Sequence, residues 1–217
     1  MPTTKLLLVR HGETDDNKSL IFQGQEGRGL NAQGREQAAR LAARLAGGRG
    51  RPAQLYASDL ERARETAEIL GRALGLAPRL DPELREVRLG AWQGLSQDEV
   101  AARFPEEWEA WRRGLDGRRG GGESYAELGD RMDRALGRIA AAHAGETVAI
   151  VSHGAAIKMA VARVLGVAVA GLRAFRVPVN TGVTMLEREG DEDARFRLVV
   201  WNDAAHLHDA VLQAIDA

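Results

Sequence analysis

Lys5-Leu6-Leu7-Leu8-Val9-Arg10-His11-Gly12 is the stretch on which the reading of the fold turns. A short apolar run closed by an arginine, a histidine and a glycine predicts a buried strand that delivers polar side chains at its C-terminal end. Thr147-Val148-Ala149-Ile150-Val151-Ser152-His153-Gly154 repeats the pattern. A helix can follow each strand, so both His-Gly pairs fall where ligands bind in an open α/β sheet. The pattern therefore predicts two neighbouring histidines.

Outward from these strands, Leu55 to Ala57 predicts a weaker strand running into Ser58-Asp59-Leu60-Glu61, where Ser and Glu three apart match a capping box. The helix expected there carries Leu60, Ala63, Ala67, Leu70 and Leu74 on one face and stops at Gly75. A second capping-box pattern, Ser124 to Glu127, opens a helix with Leu128, Met132, Leu136 and Ile139 inside, ending near Gly145. A third helix, capped by Asn31 and bounded by Gly47-Gly48, shows Ala38, Leu41, Ala42 and Leu45 on one face. Gly182 to Arg188 and Arg195 to Trp201 flank Gly190 and the acidic Asp191-Glu192-Asp193, which predicts an antiparallel hairpin at one end of the sheet, with the acidic residues as its solvated turn. Gly114 to Glu123, rich in Gly and Arg, reads as a mobile surface connection. The predicted architecture is an α/β three-layer sandwich, with a mostly parallel central sheet and helices on both faces, as a single domain over residues 1–217.

Bulk properties narrow the function. With 217 residues, 44% of them hydrophobic, the chain can build one sizeable core. Lys+Arg 30 against Asp+Glu 31 leaves a net charge of -1, so no global field draws the protein to nucleic acid or an anionic membrane. Any anion site must be local. The absence of cysteine excludes disulfides, thiolate metal sites and a cysteine nucleophile. The apolar stretch before Arg10 is too brief for a signal sequence or membrane span, which makes the cytoplasm the expected compartment.

Phosphoryl transfer needs cations around the equatorial oxygens, an in-line nucleophile and a proton for the departing oxygen. Arg10 beside His11 places a guanidinium next to an imidazole, and Thr14 and Asn17 follow as neutral hydrogen-bond donors. Arg62, in the first turn of its helix, can face an anion together with the helix N-terminus. Asp15 and Asp16 read as loop and helix-start residues, and His206 and His208 diverge too far to share a metal and suit the surface or a pocket rim.

At this point the chain resembles the histidine phosphatase superfamily, also called phosphoglycerate mutase-like. The resemblance rests on Leu8-Val9-Arg10-His11-Gly12-Glu13-Thr14 with Asn17, Ser58 to Ala67, Leu84-Arg85-Glu86 with Gly90, Trp92 and Gly94, and Val151-Ser152-His153-Gly154, in the family's order. It implies that His11 is the nucleophile, that Arg10 and Arg62 clamp the phosphoryl group, that His153 donates a hydrogen bond to it, and that Glu86 is the general acid. It also implies substrate contacts from Thr14, Asn17, Gln23, Gly24 and Gly154, with no metal and no cofactor. His11 must then be neutral at its attacking nitrogen, and Glu86 must carry a proton, which calls for burial or a neighbouring negative charge. Gly27, Gly29 and Asn31 depart from the family's acidic, proline and threonine positions, and two glycines raise that loop's conformational freedom.

The partner implied is a small phosphate monoester, and a homodimer is compatible with the sequence. Within the family, mutases carry a longer insertion between the acid and the second histidine. Gly122-Glu123-Ser124 follows quickly here, as in phosphatases. A cofactor-dependent phosphoglycerate mutase is the alternative, followed by a catalytically silent phosphate-binding module. Trp92, Trp108, Trp111 and Tyr125 suit core packing first and a pocket for an apolar leaving group second. Arg103, Arg112, Arg113, Arg118 and Arg119 are mostly solvated in this reading, and could instead hold a second anionic group.

Overall fold

The computed structural model of the protein describes residues 2–48, 50–190 and 195–207. In chain order it contains β1 (Thr3–Arg10), α1 (Asp15–Lys18), α2 (Ala32–Gly47), β2 (Gln54–Ala57), α3 (Glu61–Leu74), β3 (Arg79–Leu80), α4 (Gln97–Arg103), α5 (Pro105–Arg112), α6 (Tyr125–Ala142), β4 (Thr147–Ser152), α7 (Gly154–Val164), β5 (Val183–Glu189) and β6 (Arg197–Asp203). The strands form one mixed sheet ordered β3-β2-β4-β1-β5-β6. The first four in that order run parallel, and β5 and β6 add the antiparallel edge that the hairpin pattern predicts.

Period-two alternation in the two central strands sorts the core into layers. Leu6, Leu8, Val148 and Ile150 pack on one face with Met132, Leu136 and Ile139 of α6 and Ile157 of α7. Leu7, Val9, Ala149 and Val151 pack on the other with Leu41 of α2 and Ala63, Ala67 and Leu70 of α3. Each fully buried leucine contributes about 1.5–3 kcal/mol, so a one-residue register slip, which exchanges the faces, is strongly opposed. The three-layer sandwich follows from that alternation.

α2 begins at the predicted Asn31 cap, and α6 carries the predicted Ser124–Glu127 capping box. α3 ends at Gly75 in the left-handed region, at φ 64°. Its start differs from the reading above: the N-cap is Leu60, and Ser58 and Glu61 form no capping box. Ser58 is fully buried and its hydroxyl is engaged with His153, so the helix begins two residues later. The helix expected directly after His11 is a single turn, α1, capped by Thr14.

Three further expectations are corrected. The second half of Gly114 to Glu123 is docked, not a loose surface loop: Arg119–Gly121 forms a 3-10 turn, Arg119 is buried, and the Glu123 amide donates to Arg88 O at 2.7 Å. The glycines near residue 27 do not leave their loop free, because Arg62 bonds to Gly24 O and Glu26 O, and the Leu30 amide donates to Glu65. His206 is buried away from the surface, with Nε2 2.8 Å from Thr181 Oγ1. Asp191-Glu192-Asp193 and His208 lie outside the described residues.

Candidate active site

β1 and β4 are parallel neighbours whose last residues, Arg10 and Ser152, are in register. The next residue on each strand is a histidine, and the His11 and His153 rings lie 5.1 Å apart. The His11 amide donates to Ser152 O at 3.0 Å, which extends the ladder one step and fixes where the side chain leaves the backbone.

His11 is buried, and its Nδ1 is 2.7 Å from Gly12 O. A carbonyl only accepts, so the ring proton lies on Nδ1 and the Nε2 lone pair is available. Arg62 Nε donates to that lone pair at 3.3 Å. Burial first, then the charges of Arg62 and Arg10, hold His11 well below the usual imidazole range. Both effects favour the neutral ring, with its lone pair on Nε2.

Arg62 lies in the first turn of α3 and is buried, with Nη1 2.6 Å from Glu26 O and Nη2 2.7 Å from Gly24 O. Burial lowers its pKa to about 10, partly opposed by Glu86, so it remains a cation at neutral pH. Thr66, one turn on, accepts the Gly12 amide at 3.0 Å and donates to Arg62 O at 2.7 Å, tying the loop after His11 to this helix. Arg10 donates from Nη1 to Pro178 O at 2.8 Å, while its buried Nε has no partner.

His153 is fully buried, with Nε2 2.8 Å from Ser58 Oγ and Nδ1 without a partner. Burial, followed by the charges of Arg62, His11 and Arg10, keeps it neutral well below the usual range. With Ser58 Oγ–H donating to Nε2, the Nδ1–H is free to face an anion.

Glu86 receives three backbone amides: Val87 at 2.9 Å, and Ala155 and Ala156 at 3.0 Å from the first turn of α7. It is half-buried, short of the deep burial that the sequence reading asked for, and no carboxylate is shown hydrogen-bonded to it among the described residues. Its charged neighbours are Arg10 and Arg62.

These groups line a cleft of about 350 Å³ that includes Arg10, His11, Asn17, Gln23, Gly24, Arg62, Glu86 and Gly154. Thr14 does not line it. Its hydroxyl accepts from Asn17 N and from Gln23 Nε2 at 2.9 Å, so it positions those residues. His153 lies behind the surface and not on it.

The aromatic residues divide. Trp92 is fully buried among Phe22, Phe104, Trp108 and Trp111, whereas Trp111 and Tyr125 also line the cleft. Of the arginines set aside as solvated, Arg119 is buried and lines the cleft as well.

Sequence reading missed Ser58 as a partner of His153, Thr66 as the tie to the loop, and Asn180, whose Nδ2 donates to His11 O at 3.0 Å and Asn17 Oδ1 at 3.1 Å. Asn180 had no local signal, because 169 positions separate it from His11. Among the described residues no group of three His, Asp or Glu side chains is arranged to hold a metal ion, and no helix is long and apolar enough to cross a membrane.

A neutral imidazole flanked by two guanidinium groups at the carboxyl edge of an α/β sheet is equipment for phosphoryl transfer. The comparisons with known proteins agree. Residues 6–204 match the histidine phosphatase superfamily (branch 1), and the chain belongs to that family. It is 35% identical over 207 residues to a metal-independent phosphoserine phosphatase of Arabidopsis thaliana, covering 94% of this chain and 83% of the relative. To the glucosyl-3-phosphoglycerate phosphatase of Mycobacterium tuberculosis it is 34% identical over 225 residues, covering 98% and 100%. The solved structure of a mycobacterial glucosyl-3-phosphoglycerate phosphatase in complex with VO3 superposes with a TM-score of 0.83 at 35% identity, covering 91% of this chain and 98% of that one. These relatives favour a phosphatase, a phosphoric monoester hydrolase, over a mutase.

Proposed function

We propose that this protein, as one domain over residues 1–217, hydrolyses small phosphate monoesters without a metal, through a phosphoryl group carried transiently on His11 Nε2. The observation that carries the reading is the pair of contacts made by the His11 ring: Nδ1 lies 2.7 Å from Gly12 O, which accepts its proton, and Nε2 accepts from Arg62 in the cleft.

In the first step Nε2 attacks phosphorus, the phosphorus–ester oxygen bond breaks, and the departing alkoxide takes a proton from Glu86. In the second, water attacks the phosphohistidine, Glu86 accepts a proton from it, and the phosphorus–nitrogen bond breaks to release inorganic phosphate. The substrate's own phosphate would place a negative charge beside Glu86. Arg10 Nε and His153 Nδ1, both buried without partners, are donors available to phosphoryl oxygens. Turning over the Gln23 amide lets Thr14 donate to it and leaves the Gln23 NH2 as a further donor; the two orientations are equivalent in shape. Asn17, Gly24 and Gly154 complete the binding wall, and guanidinium groups take the place of a metal cation. The cytoplasm as compartment belongs to the same reading and rests on the sequence.

Acid-labile mass added to His11 in rapid-quench mass spectrometry, during turnover of p-nitrophenyl phosphate with chelator present, tests this. Brisk phosphate release with no adduct at His11 would remove the mechanism. Mutase action is checked by supplying 3-phosphoglycerate with and without 2,3-bisphosphoglycerate: phosphate release outpacing isomer formation is expected, and the reverse order would overturn the hydrolase reading.

A further inference from the structure

Arg10 and Arg62 account for the cations that a phosphoryl group needs, yet the same cleft contains a third guanidinium. Arg119 is only 5% exposed and lines the cleft together with Trp111. Its Nε is buried without a hydrogen-bond partner, and Nη2 makes one long contact, 3.4 Å to Glu123 O. Among the described residues no carboxylate pairs with it. Its neighbours on the surface are treated differently: Arg118 pairs with Glu127, Arg112 and Arg113 pair with Glu109, and the Glu123 carboxylate is taken by Arg131.

A buried guanidinium loses hydration that only an anion or several hydrogen bonds restore. The face of Tyr125, its centroid 3.8 Å from Cζ, restores part of it through a cation–π contact and leaves Nε without an acceptor. The backbone of that turn is closely packed. Gly120, at φ 54°, packs its Cα against Leu89 O and the amides of Ala91 and Trp92 so closely that no side chain fits, and its own amide donates to Glu107 at 2.6 Å. Arg119 therefore lines the cleft from a closely packed turn, and a guanidinium is the side chain suited to bidentate binding of a carboxylate or phosphate.

We propose that Arg119 binds a second anionic group, carboxylate or phosphate, on the alcohol half of the substrate. The preferred substrates are then phosphate monoesters with a doubly anionic skeleton, Trp111 and Tyr125 flanking the carbon chain between the two charges. This rests on the phosphatase reading above and adds the substrate class.

The test compares matched pairs. For carboxylate, 3-phosphoglycerate is set against its methyl ester and against glycerol 3-phosphate; for phosphate, propane-1,3-diol bisphosphate is set against the monophosphate. The unaltered enzyme is expected to favour the free anion in at least one pair by about tenfold or more in kcat/KM, mainly through KM. The pair that responds identifies the anion. Arg119→Met is expected to collapse that ratio towards one, and Arg119→Lys to retain part of it.

A ratio unchanged in Arg119→Met, with both members of the pair slowed alike, would make Arg119 a structural prop for the turn and overturn the proposal. So would the absence of any preference in the unaltered enzyme, a result that needs no variant to fold. Affinities for the same pairs, measured by calorimetry on His11→Ala protein, read the recognition without turnover. Failure of the phosphohistidine reading would thus leave this ratio intact, and failure of Arg119 recognition would leave the His11 adduct intact.

Discussion

Arg62 Nε donates to His11 Nε2 across 3.3 Å, so the guanidinium that clamps the phosphoryl group in the proposed reaction also sits on the nucleophile's lone pair. In the proposed reaction an incoming phosphate would have to draw that N–H away before attack. On that reading one residue would couple loading of the site to release of the nucleophile.

Arg62→Lys is expected to lower kcat on p-nitrophenyl phosphate by about 10²–10³, the loss typical of a removed transition-state donor. Lysine cannot reach His11, Glu26 O and Gly24 O together, as the three guanidinium nitrogens do. Steady-state kinetics decide it, and a variant within threefold of the parent enzyme would take Arg62 out of the clamp.

Glu86→Gln preserves the shape of the carboxylate but cannot supply the proton. Monoesters with poor, alkyl leaving groups are expected to slow by at least about 10², in the range of general acid catalysis, while p-nitrophenyl phosphate, whose leaving group departs without help, slows far less. Equal slowing across a leaving-group series would point to the three amides that Glu86 accepts, and so to a structural role.

Three of the four buried histidines are expected to make stability fall with acid. An unfolded histidine titrates near 6.5. In the folded protein burial holds His11 and His153 well below that, and lowers His206 to about 4. Above 6.5 neither state binds the proton and the full contribution is present; between 6.5 and the folded value only the unfolded chain binds it, so stability drops as pH falls. Each such histidine contributes a slope of about 1.4 kcal/mol per pH unit. Urea unfolding at pH 6 and 5 is expected to show a slope shallower by about that amount in His206→Gln, and an unaltered slope would contradict the assignment.

Gly34→Ala lies in α2, where alanine is ordinarily worth about 1 kcal/mol more than glycine. Here a Cβ would overlap Glu13 O and the Glu13 amide, in the loop that follows His11. Overpacking of about 1–3 kcal/mol or more outweighs the helix gain, so the variant is expected to melt lower and lose turnover. Thermal unfolding with parallel kinetics checks this. A higher melting temperature would show that the loop can retreat without cost.

Much of this was legible because it is local. The strand ending in Arg10-His11, its repeat at Ser152-His153, and the caps at Asn31 and Ser124 are each readable within a few residues. The misreadings came from residues whose role is set at a distance. Ser58 is a helix cap by spacing, yet its hydroxyl is claimed by a histidine 95 positions away. Arg119 is a surface charge by composition, yet its turn docks on residues 88 to 92.

Alternating apolar residues and two strand-ending histidines were enough, in one dimension, to determine the layered α/β architecture and the chemical character of the site, since side-chain direction along a strand depends only on parity. What the tertiary structure alone decided was protonation and pairing: which nitrogen of His11 holds its proton, which arginines of the surface pair with carboxylates while Arg119 is buried in the cleft, and which carboxylate meets a helix end. Those depend on burial and on partners contributed by remote segments, and neither is a property of any local stretch of chain.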